Sequence, residues 1–466
     1  MSDVDSTSAR RYRFGPRTER LTLAGVRLEQ VALVTFATVV AVLLLRSGGG
    51  PLRISLACGL VAAALAISLW PFNGRTLQQW APFVVTYVAR ATSAFSPRVL
   101  TTTRPRPHRA KAFNAFRILD AGEASGEIGV LVDAASRTMS GVIRLRGAPM
   151  LLLDRSSRQQ ITDSWASVLG ALSQQSGLLH RLSWIERTIP DHAIGIGEQA
   201  TARFGGSALT RSRSSYLELL EQEGPGVLRH ECYLVVTVRA RARGGGDSKP
   251  VLSRLLHEIS ARCAEVGIES EGLLTTAGLR SMIEREFAPG ALITGAVDPM
   301  PLSVHEEWAA IRTGGTWRAV YWVAEWPRLD VTSDFLLPLL FEVGLRRSSV
   351  VVMEPRNTSQ AVRQAERART EKIADLDLRR RHGFAQTARS RREEEAILRR
   401  ESELSVGHGA FRFSGYLIVA AVEREALEVD CARLERSAGR AHLVLRRLYG
   451  AQAWASMFVL PAGRGR

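Results

Sequence analysis

Two apolar segments near the N terminus constrain the fold of this chain more than any other feature of its sequence. They cover residues 31–45 and 54–72, and a short glycine-rich turn separates them. About 20 helical residues cross the hydrocarbon core of a bilayer, so the second segment is long enough alone and the first with its flanking residues. The pattern predicts a transmembrane hairpin over residues 28–72. The alternatives are a buried hairpin of a soluble core, or a signal peptide followed by a core helix.

The distribution of arginine predicts how this hairpin is oriented. Six arginines precede the first segment and five follow the second within the next 34 residues, whereas the turn carries only Arg46 and Arg53. The positive-inside rule therefore predicts that both termini lie in the cytoplasm. Small residues four positions apart on the second segment favour close approach of a further helix or of the other helix of the hairpin. The residues assigned to the hairpin are Val31, Leu45, Ile54, Gly59, Ala63 and Trp70, the last as an interfacial anchor.

The composition agrees with a protein held at a membrane. The 466 residues carry a formal net charge of +16, and the pI is near 10.7. Such a charge suits contact with anionic lipid or nucleic acid, and lipid is favoured because so many arginines flank the apolar segments. The chain has only three lysines, so its arginine richness is also what a GC-rich genome would produce. The four cysteines are scattered and show neither metal-ligand spacing nor a disulfide framework, as expected for a reducing cytosol. The sequence predicts no metal site and no cofactor.

The rest of the chain predicts a cytoplasmic α+β fold in which strands and helices alternate. Residues 157–175 have apolar side chains at helical spacing, whereas residues 127–132 and 138–145 have the composition of strands. The predicted divisions are a basic N-terminal segment (1–27), the hairpin (28–72), a juxtamembrane helix with a basic linker (73–111), a first cytoplasmic α+β domain (112–290) and a second, ferredoxin-like unit (291–466).

An internal repeat in the cytoplasmic part of the sequence indicates which α+β fold to expect. A strand, a second strand, a helix and a third strand occur in the same order twice along the chain. Two ferredoxin-like units would produce this order, although generic strand–helix–strand stretches also resemble one another by chance. The first set covers 182–191, 233–238, 250–266 and 268–274, and the second covers 319–330, 416–422, 424–437 and 441–448.

Residues 357–405 interrupt the second unit and are dense in charges of both signs. They lack proline and are rich in strong helix formers, which predicts a charged helical hairpin about 35 Å long. It is either a solvated excursion or a docking arm for a partner. The candidate docking residues are Arg379, Arg380, Arg381, Arg391, Arg392 and Glu393.

Motifs of catalysis are not found. Glycine-rich stretches at 244–249 and 407–411 lack the lysine and hydroxyl of a phosphate loop, and the sequence contains neither H-E-x-x-H nor G-x-S-x-G. No spacing rule singles out the one dense charged cluster, so we interpret it as surface and strand-end polarity. That cluster comprises Glu186, Arg187, Asp191 and His192. The sequence predicts no catalytic residue.

Several stretches together resemble a known family. They are the two-helix hairpin, the LLLD sequence at 151–154, the helix containing W-A-S-V-L-G from Trp165, and W-I-E-R-T-I-P-D at 184–191. The chain resembles actinobacterial integral membrane proteins of conjugation-type secretion loci. Its layout is similar to the small two-helix inner-membrane component of type IV secretion systems fused to the N-terminal, non-motor half of their ATPase.

The resemblance implies a non-catalytic scaffold, multi-pass in the plasma membrane, that anchors a separately encoded motor ATPase. The expected partners are this ATPase and other inner-membrane secretion components, together with anionic lipid and further copies of the chain. Unlike the full ATPase, this sequence shows no nucleotide-binding domain.

Two other functional classes stay open. A membrane-tethered nucleic-acid-binding protein would use the arginines of 379–400 or of 104–111 on phosphates, with strong salt dependence. The glutamates at 393–395 argue mildly against this. A membrane enzyme with an unrecognised site would need a cleft that brings together Glu186, Asp191 and His192.

Overall fold

The computed structural model divides the chain into two compact units, one of residues 16–104 with 449–451 and one formed mainly by residues 105–448 and 452–466. The described residues are 22–23, 26–46, 50–69, 71–72, 75–76, 80–81, 83–85, 87–89, 113–121, 127–147, 153–174, 177–190, 228–240, 248–287, 298–301, 303–327, 329, 331–342, 344–356, 358–381, 391, 394–398, 402 and 409–465.

The N-terminal unit is built on two apolar helices that pack against each other. A two-residue ribbon precedes the helices and another follows them, each antiparallel. The elements are β1 (Thr22–Leu23), β2 (Val26–Arg27), α1 (Leu28–Arg46), α2 (Pro51–Leu69), β3 (Pro71–Phe72) and β4 (Arg75–Thr76). Beyond β4, the described residues 80–81, 83–85 and 87–89 are helical, within the predicted juxtamembrane helix.

The helix pair has small side chains inside and large apolar side chains outside. Among the side chains of α1 and α2 that the structure describes, the buried apolar ones are all alanine, whereas Phe36 is 68% exposed and Leu52 is 75% exposed. The hydroxyls of Thr38 and Ser55 donate to the carbonyl oxygens four residues earlier, so neither depends on water for a partner. The buried alanines are Ala37, Ala41, Ala57 and Ala64.

By length and composition, residues Pro51–Ser68 form a helix able to cross a membrane, and Ala32–Arg46 form a shorter apolar helix. The two-span hairpin therefore remains a prediction. Gly59 and Ala63, predicted to lie at a helix contact, are exposed. Leu45 and Ile54 are also exposed. The side chain of Val31, and Trp70 as a whole, lie outside the described residues.

The first half of the C-terminal unit runs from residue 113 to residue 287. Its elements are β5 (Phe116–Asp120), β6 (Gly129–Asp133), β7 (Thr138–Leu145), α3 (Arg155–Gln174), β8 (Arg181–Pro190), β9 (Leu228–Arg239), α4 (Lys249–Glu265), β10 (Ser270–Leu273) and α5 (Thr276–Phe287). The predicted helix at 157–175 corresponds to α3, and its residues Val168 and Leu172 are buried as expected. The apolar sequence of residues 150–153 also predicts a strand, but of these residues only Leu153 is described, in a bend.

The second half repeats this order with a long insertion. Its elements are β11 (Val304–Glu306), β12 (Ile311–Thr313), β13 (Thr316–Glu325), α6 (Leu337–Leu340), β14 (Arg347–Arg356), α7 (Thr358–Arg381), β15 (Ala410–Ala421), α8 (Arg424–Arg440), β16 (Val444–Arg447), α9 (Gln452–Ala455) and a 3-10 turn (Ser456–Val459).

All twelve strands from β5 to β16 form one antiparallel sheet, which confirms the predicted α+β class. The order is β11-β12-β13-β15-β14-β8-β9-β7-β6-β5, with β10 also paired to β7 and β16 to β13. Each half contains four strands and two helices in the order strand–helix–strand–strand–helix–strand. When these four strands are numbered along the chain, they lie side by side in the order fourth, first, third, second: β10-β7-β9-β8 in the first half and β16-β13-β15-β14 in the second. The second strands, β8 and β14, pair with each other, and this seam joins the halves.

Alternation along each strand gives the sheet two buried faces. On β9, Leu234 and Val236 pack in a core shared with α3 and α4, whereas Tyr233 and Val235 pack in a core shared with α5 and the C-terminal segment. In the second half, α6 and α8 cover the face that continues the α3 and α4 side. The central strands are therefore buried on both faces.

The C-terminal crossover, residues 460–465, runs from the second half onto the first. The Arg464 guanidinium donates to both carboxylate oxygens of Asp133, at 2.6 and 2.8 Å, and lies over the ring of Phe116. Gly463 has φ of +58° and faces Thr237 with no room for a Cβ, so a glycine is required there. In the opposite direction, α5 of the first half reaches Arg318 on β13. Each half therefore sends its last segment across the other.

Candidate functional site

The candidate site is a set of buried charges where the two halves meet. At the seam, Arg187 on β8 stands opposite Ser348 on β14 and opposite Glu231 on β9. Directly opposed residues of antiparallel strands point to the same face, so these three side chains share the face covered by α5. Arg187 is 1% exposed and Glu231 is 4% exposed.

Glu286 of α5 is the centre of this helix-α5 network. One carboxylate oxygen accepts from Nη1 of Arg318 at 2.8 Å, and the other lies 3.0 Å from Nε of Arg187. The Ser348 hydroxyl donates to the same second oxygen at 3.1 Å. Burial raises the pKa of Glu286, but the charges of Arg187, Arg318 and Arg346 outweigh it, and the pKa lies below its usual value. The carboxyl group is therefore ionised although it is buried.

Glu231 extends the network toward the surface. Its carboxylate accepts a hydrogen bond from the Tyr233 hydroxyl at 2.9 Å and one from Nη1 of Arg285 at 3.4 Å. The Arg187 Nη1 atom lies 3.9 Å from the same carboxylate and donates to the carbonyl oxygen of Met282 at 2.9 Å. The helix-α5 network consists of Arg187, Glu231, Arg285, Glu286, Arg318, Arg346 and Ser348.

A second cluster, the seam cluster, occupies the opposite face at the same level of the sheet. Nη2 of Arg347 lies 3.2 and 3.1 Å from the two oxygens of Glu186 and donates to the carbonyl oxygen of Leu340 at 3.0 Å. Glu186 also accepts from the Thr188 hydroxyl at 2.8 Å and pairs with Nδ1 of His230 at 2.9 Å. Residues of β8, β9 and β14 are thereby tied together on both faces.

The sequence-based interpretation of this region was wrong in two of its four residues. Glu186 and Arg187, interpreted as surface polarity, are 7% and 1% exposed. Asp191 and His192 lie outside the described residues. The signal in the sequence was that three consecutive polar residues, 186–188, lie between apolar residues within a predicted strand. Polar side chains in such a strand are buried and need partners.

Acid is expected to weaken the seam cluster. Burial raises the pKa of Glu186, but bonding to His230, the charge of Arg347 and the Thr188 hydrogen bond outweigh burial and leave the pKa below 4.5. A carboxyl group whose pKa is depressed by folding adds stability above its unfolded pKa, and that stability is lost as pH falls through the folded pKa. Unfolding temperatures are expected to fall below about pH 4.5, and less steeply in Glu186→Gln. Parallel profiles for the two proteins would contradict this.

The predicted docking residues are only partly described. Helix α7 is anchored at its start, where Ala361 and Ala365 pack against Ala410. Beyond this point most described side chains of α7 are exposed, and a helix of 24 residues is about 36 Å long. Arg381 and Arg391 are exposed. The side chains of Arg379, Arg380, Arg392 and Glu393 lie outside the described set.

Other candidate sites among the described residues have fewer features of a functional site. A shallow depression of about 280 Å³ at the β11–β12 edge is lined mainly by exposed residues, among them His305 and Arg312. No group of three or more His, Cys, Asp or Glu in the described ranges is placed to hold a metal. The four cysteines are free thiols, and burial raises the pKa of Cys232 to about 12. That thiol is a poor nucleophile at neutral pH.

Comparison with known proteins adds no identification. A scan of the sequence against models of protein families matches none of them. A search of the curated proteins likewise finds no matching relative.

Proposed function

We propose that this chain is a non-catalytic inner-membrane scaffold of a type IV-like secretion or conjugation apparatus, and that it anchors a separately encoded motor ATPase. The observation that carries the proposal is the exposed apolar surface of the helices α1 and α2. Exposing an apolar surface of this size to water is unfavourable, whereas contact with the hydrocarbon chains of a lipid bilayer is favourable. The large exposed apolar residues of the helices are Phe36, Val39, Val42, Leu43, Leu45, Leu52, Ile54, Leu56, Leu60, Leu65 and Ile67.

The membrane arrangement we propose is a two-span hairpin with both termini in the cytoplasm. The arginines on both sides of α1 and α2 support this orientation and suit contact with anionic lipid. The hydroxyl groups of Thr38 and Ser55 are bonded within their own helices, as they must be where lipid offers no partner. To test this arrangement, a reporter is fused after residue 111. We expect the fusion protein to be found in the membrane fraction and to stay there when the membranes are washed with alkaline carbonate.

The cytoplasmic unit, in this proposal, is a pair of ferredoxin-like units. The strand order fourth, first, third, second in each half supports this fold, as does the placement of α3 and α4 on one face. The insertion that contains α7 is the proposed dock for the motor, since its described side chains beyond Ala365 are mostly exposed and charged. We also propose that the chain forms homo-oligomers and contacts other inner-membrane components.

The test is purification of the tagged full-length chain from native membranes at moderate salt after nuclease treatment, followed by mass spectrometry. A motor ATPase in stoichiometric amount is expected. Replacing Arg380 and Arg381 by Glu is expected to reduce its recovery about tenfold, because a charged docking surface is reversed. Replacing Arg433 and Arg436 on α8 by Glu makes the same charge change and is expected to leave recovery unchanged.

Two outcomes would contradict the scaffold. One is nucleotide hydrolysis by the purified chain itself, which would indicate an enzyme. The other is that partners are recovered only when the nuclease treatment is left out, and that their binding to the chain weakens steeply as the salt concentration is raised. That result would favour the second candidate, a membrane-tethered nucleic-acid-binding protein, which the net charge of +16 supports.

A further inference from the structure

The helix-α5 network holds more positive than negative charge. It joins four guanidinium groups, those of Arg187, Arg285, Arg318 and Arg346, to two carboxylates, those of Glu231 and Glu286. Two formal positive charges are left over. The carbonyl oxygens at the C-terminal end of α5 offset about half a charge, and Nη2 of Arg346 donates to one of them, that of Arg285, at 3.4 Å.

Hydrogen-bond donors are left over as well. Nε and Nη2 of Arg318 and Nη2 of Arg187 are buried and have no partner among the described residues. Arg346 has no carboxylate within ion-pair distance in the described ranges. Burying donors and charge without partners is costly, so a network of this kind favours an anion at its open side.

The open side of the network is where Arg285 and Arg346 lie. The Arg285 side chain is 41% exposed and Arg346 is partly exposed, whereas Arg318 is fully buried. Positive charge therefore continues from the surface into the sheet. An incoming anion meets the rim arginines first and the field of the buried pair behind them.

We propose that this rim binds the phosphate group of an anionic ligand, with Arg346 and Arg285 as the contacting residues. A phosphate monoester carries about −1.5 to −2 charges at neutral pH, which matches the excess of the network. Guanidinium groups present paired N–H donors that fit phosphate oxygens in a bidentate manner. The site is independent of the membrane and motor functions proposed above.

The experiment uses the full-length chain in detergent and inorganic phosphate as the first probe, with chloride at equal ionic strength as the reference. Phosphate is expected to raise the unfolding temperature saturably. Arg346→Met is expected to weaken phosphate binding about tenfold, because a charged hydrogen bond is lost. The control Arg436→Gln removes one exposed arginine from α8 and is expected to change binding less than about twofold.

Two further probes distinguish a soluble phosphate ligand from a lipid headgroup. Glycerol phosphate represents a soluble monoester, and phosphatidic acid in the micelle represents a lipid headgroup. Saturable stabilisation by any of the three probes that is lost in Arg346→Met supports the site. Stabilisation by none, or stabilisation that persists in Arg346→Met, overturns it.

Stability without phosphate gives a second readout. Arg346→Met removes an uncompensated charge, so without phosphate it is expected to unfold at the same temperature as the parent or a higher one. A merely structural arginine would give the opposite result. If Arg346→Met does not fold, Arg285→Gln tests the other rim residue with the same probes.

Discussion

Replacing Glu286 by Gln is expected to lower the free energy of unfolding by about 3–5 kcal/mol, the usual cost of breaking a buried ion pair on one side. The carboxylate is bonded to Arg318 at 2.8 Å, lies 3.0 Å from Nε of Arg187 and accepts from Ser348. An amide removes the negative charge but leaves both buried guanidinium groups in place. Urea denaturation of the full chain in detergent, followed by tryptophan fluorescence, measures the loss.

The matched control is Glu258→Gln on α4. Glu258 also accepts from an arginine, at 3.2 and 3.0 Å from Nε and Nη2 of Arg262, but both side chains are about one-third exposed. Surface pairs four residues apart on a helix contribute about 0.3–0.5 kcal/mol. If Glu286→Gln destabilised the protein no more than this control, the network would not be holding the halves together.

Replacing Arg464 by Ala is expected to cost about 2–4 kcal/mol and to release the C-terminal crossover. Asp133 is 1% exposed, and without Arg464 its carboxylate loses its cationic partner and keeps hydrogen bonds from the N–H groups of Ala135 and Ser136. The contact of the guanidinium with the Phe116 ring is lost as well. Hydrogen exchange at residues 456–465 should rise more than in the strands of the sheet, because the pair of Arg464 with Asp133 ties this segment to the first half.

Arg440→Ala serves as the control for that substitution. Arg440 is bonded to Glu342, but its side chain is 61% exposed, so we expect a loss of about 1 kcal/mol or less. A double-mutant cycle of Asp133→Asn with Arg464→Ala isolates the pair. A coupling energy below about 0.5 kcal/mol would show that the crossover is held by apolar packing instead.

The elements that could be predicted from the sequence are those with a clear apolar periodicity or a high content of β-branched residues. Helix α3 has Val168 and Leu172 on one face, and the strands β7 and β9 are rich in β-branched residues. Helix α5 was not predicted, although Leu279, Ile283 and Phe287 are buried. Its polar residues Arg280, Arg285 and Glu286 obscured the apolar periodicity, and Glu286 turned out to face the core.

The partners of the buried charges could not be predicted from the sequence, for a different reason. A charged residue in a sequence is expected at the surface, because an isolated buried charge is expensive. Arg187 is buried because its partners come from other elements, Glu231 on β9 and Glu286 on α5, more than 40 and 90 residues away in the chain. No local pattern links these residues. Only the pairing of β8 with β14, which brings the halves together, places Arg318 beside the same carboxylate.

The position of the insertion between β14 and β15 has a mechanical consequence. The chain leaves the sheet after Arg356 and re-enters it at Ala410, which are paired neighbours on these two central strands. A tensile load applied to α7 therefore reaches the ends of both strands at once. The load pulls β14 and β15 in the same direction. Because the hydrogen bonds of an antiparallel pair lie perpendicular to the strands, the component of the load along the strands shears the rows of bonds that join β14 to β8 and β15 to β13. Bonds loaded in this way share the force, whereas bonds peeled from a sheet edge break one at a time.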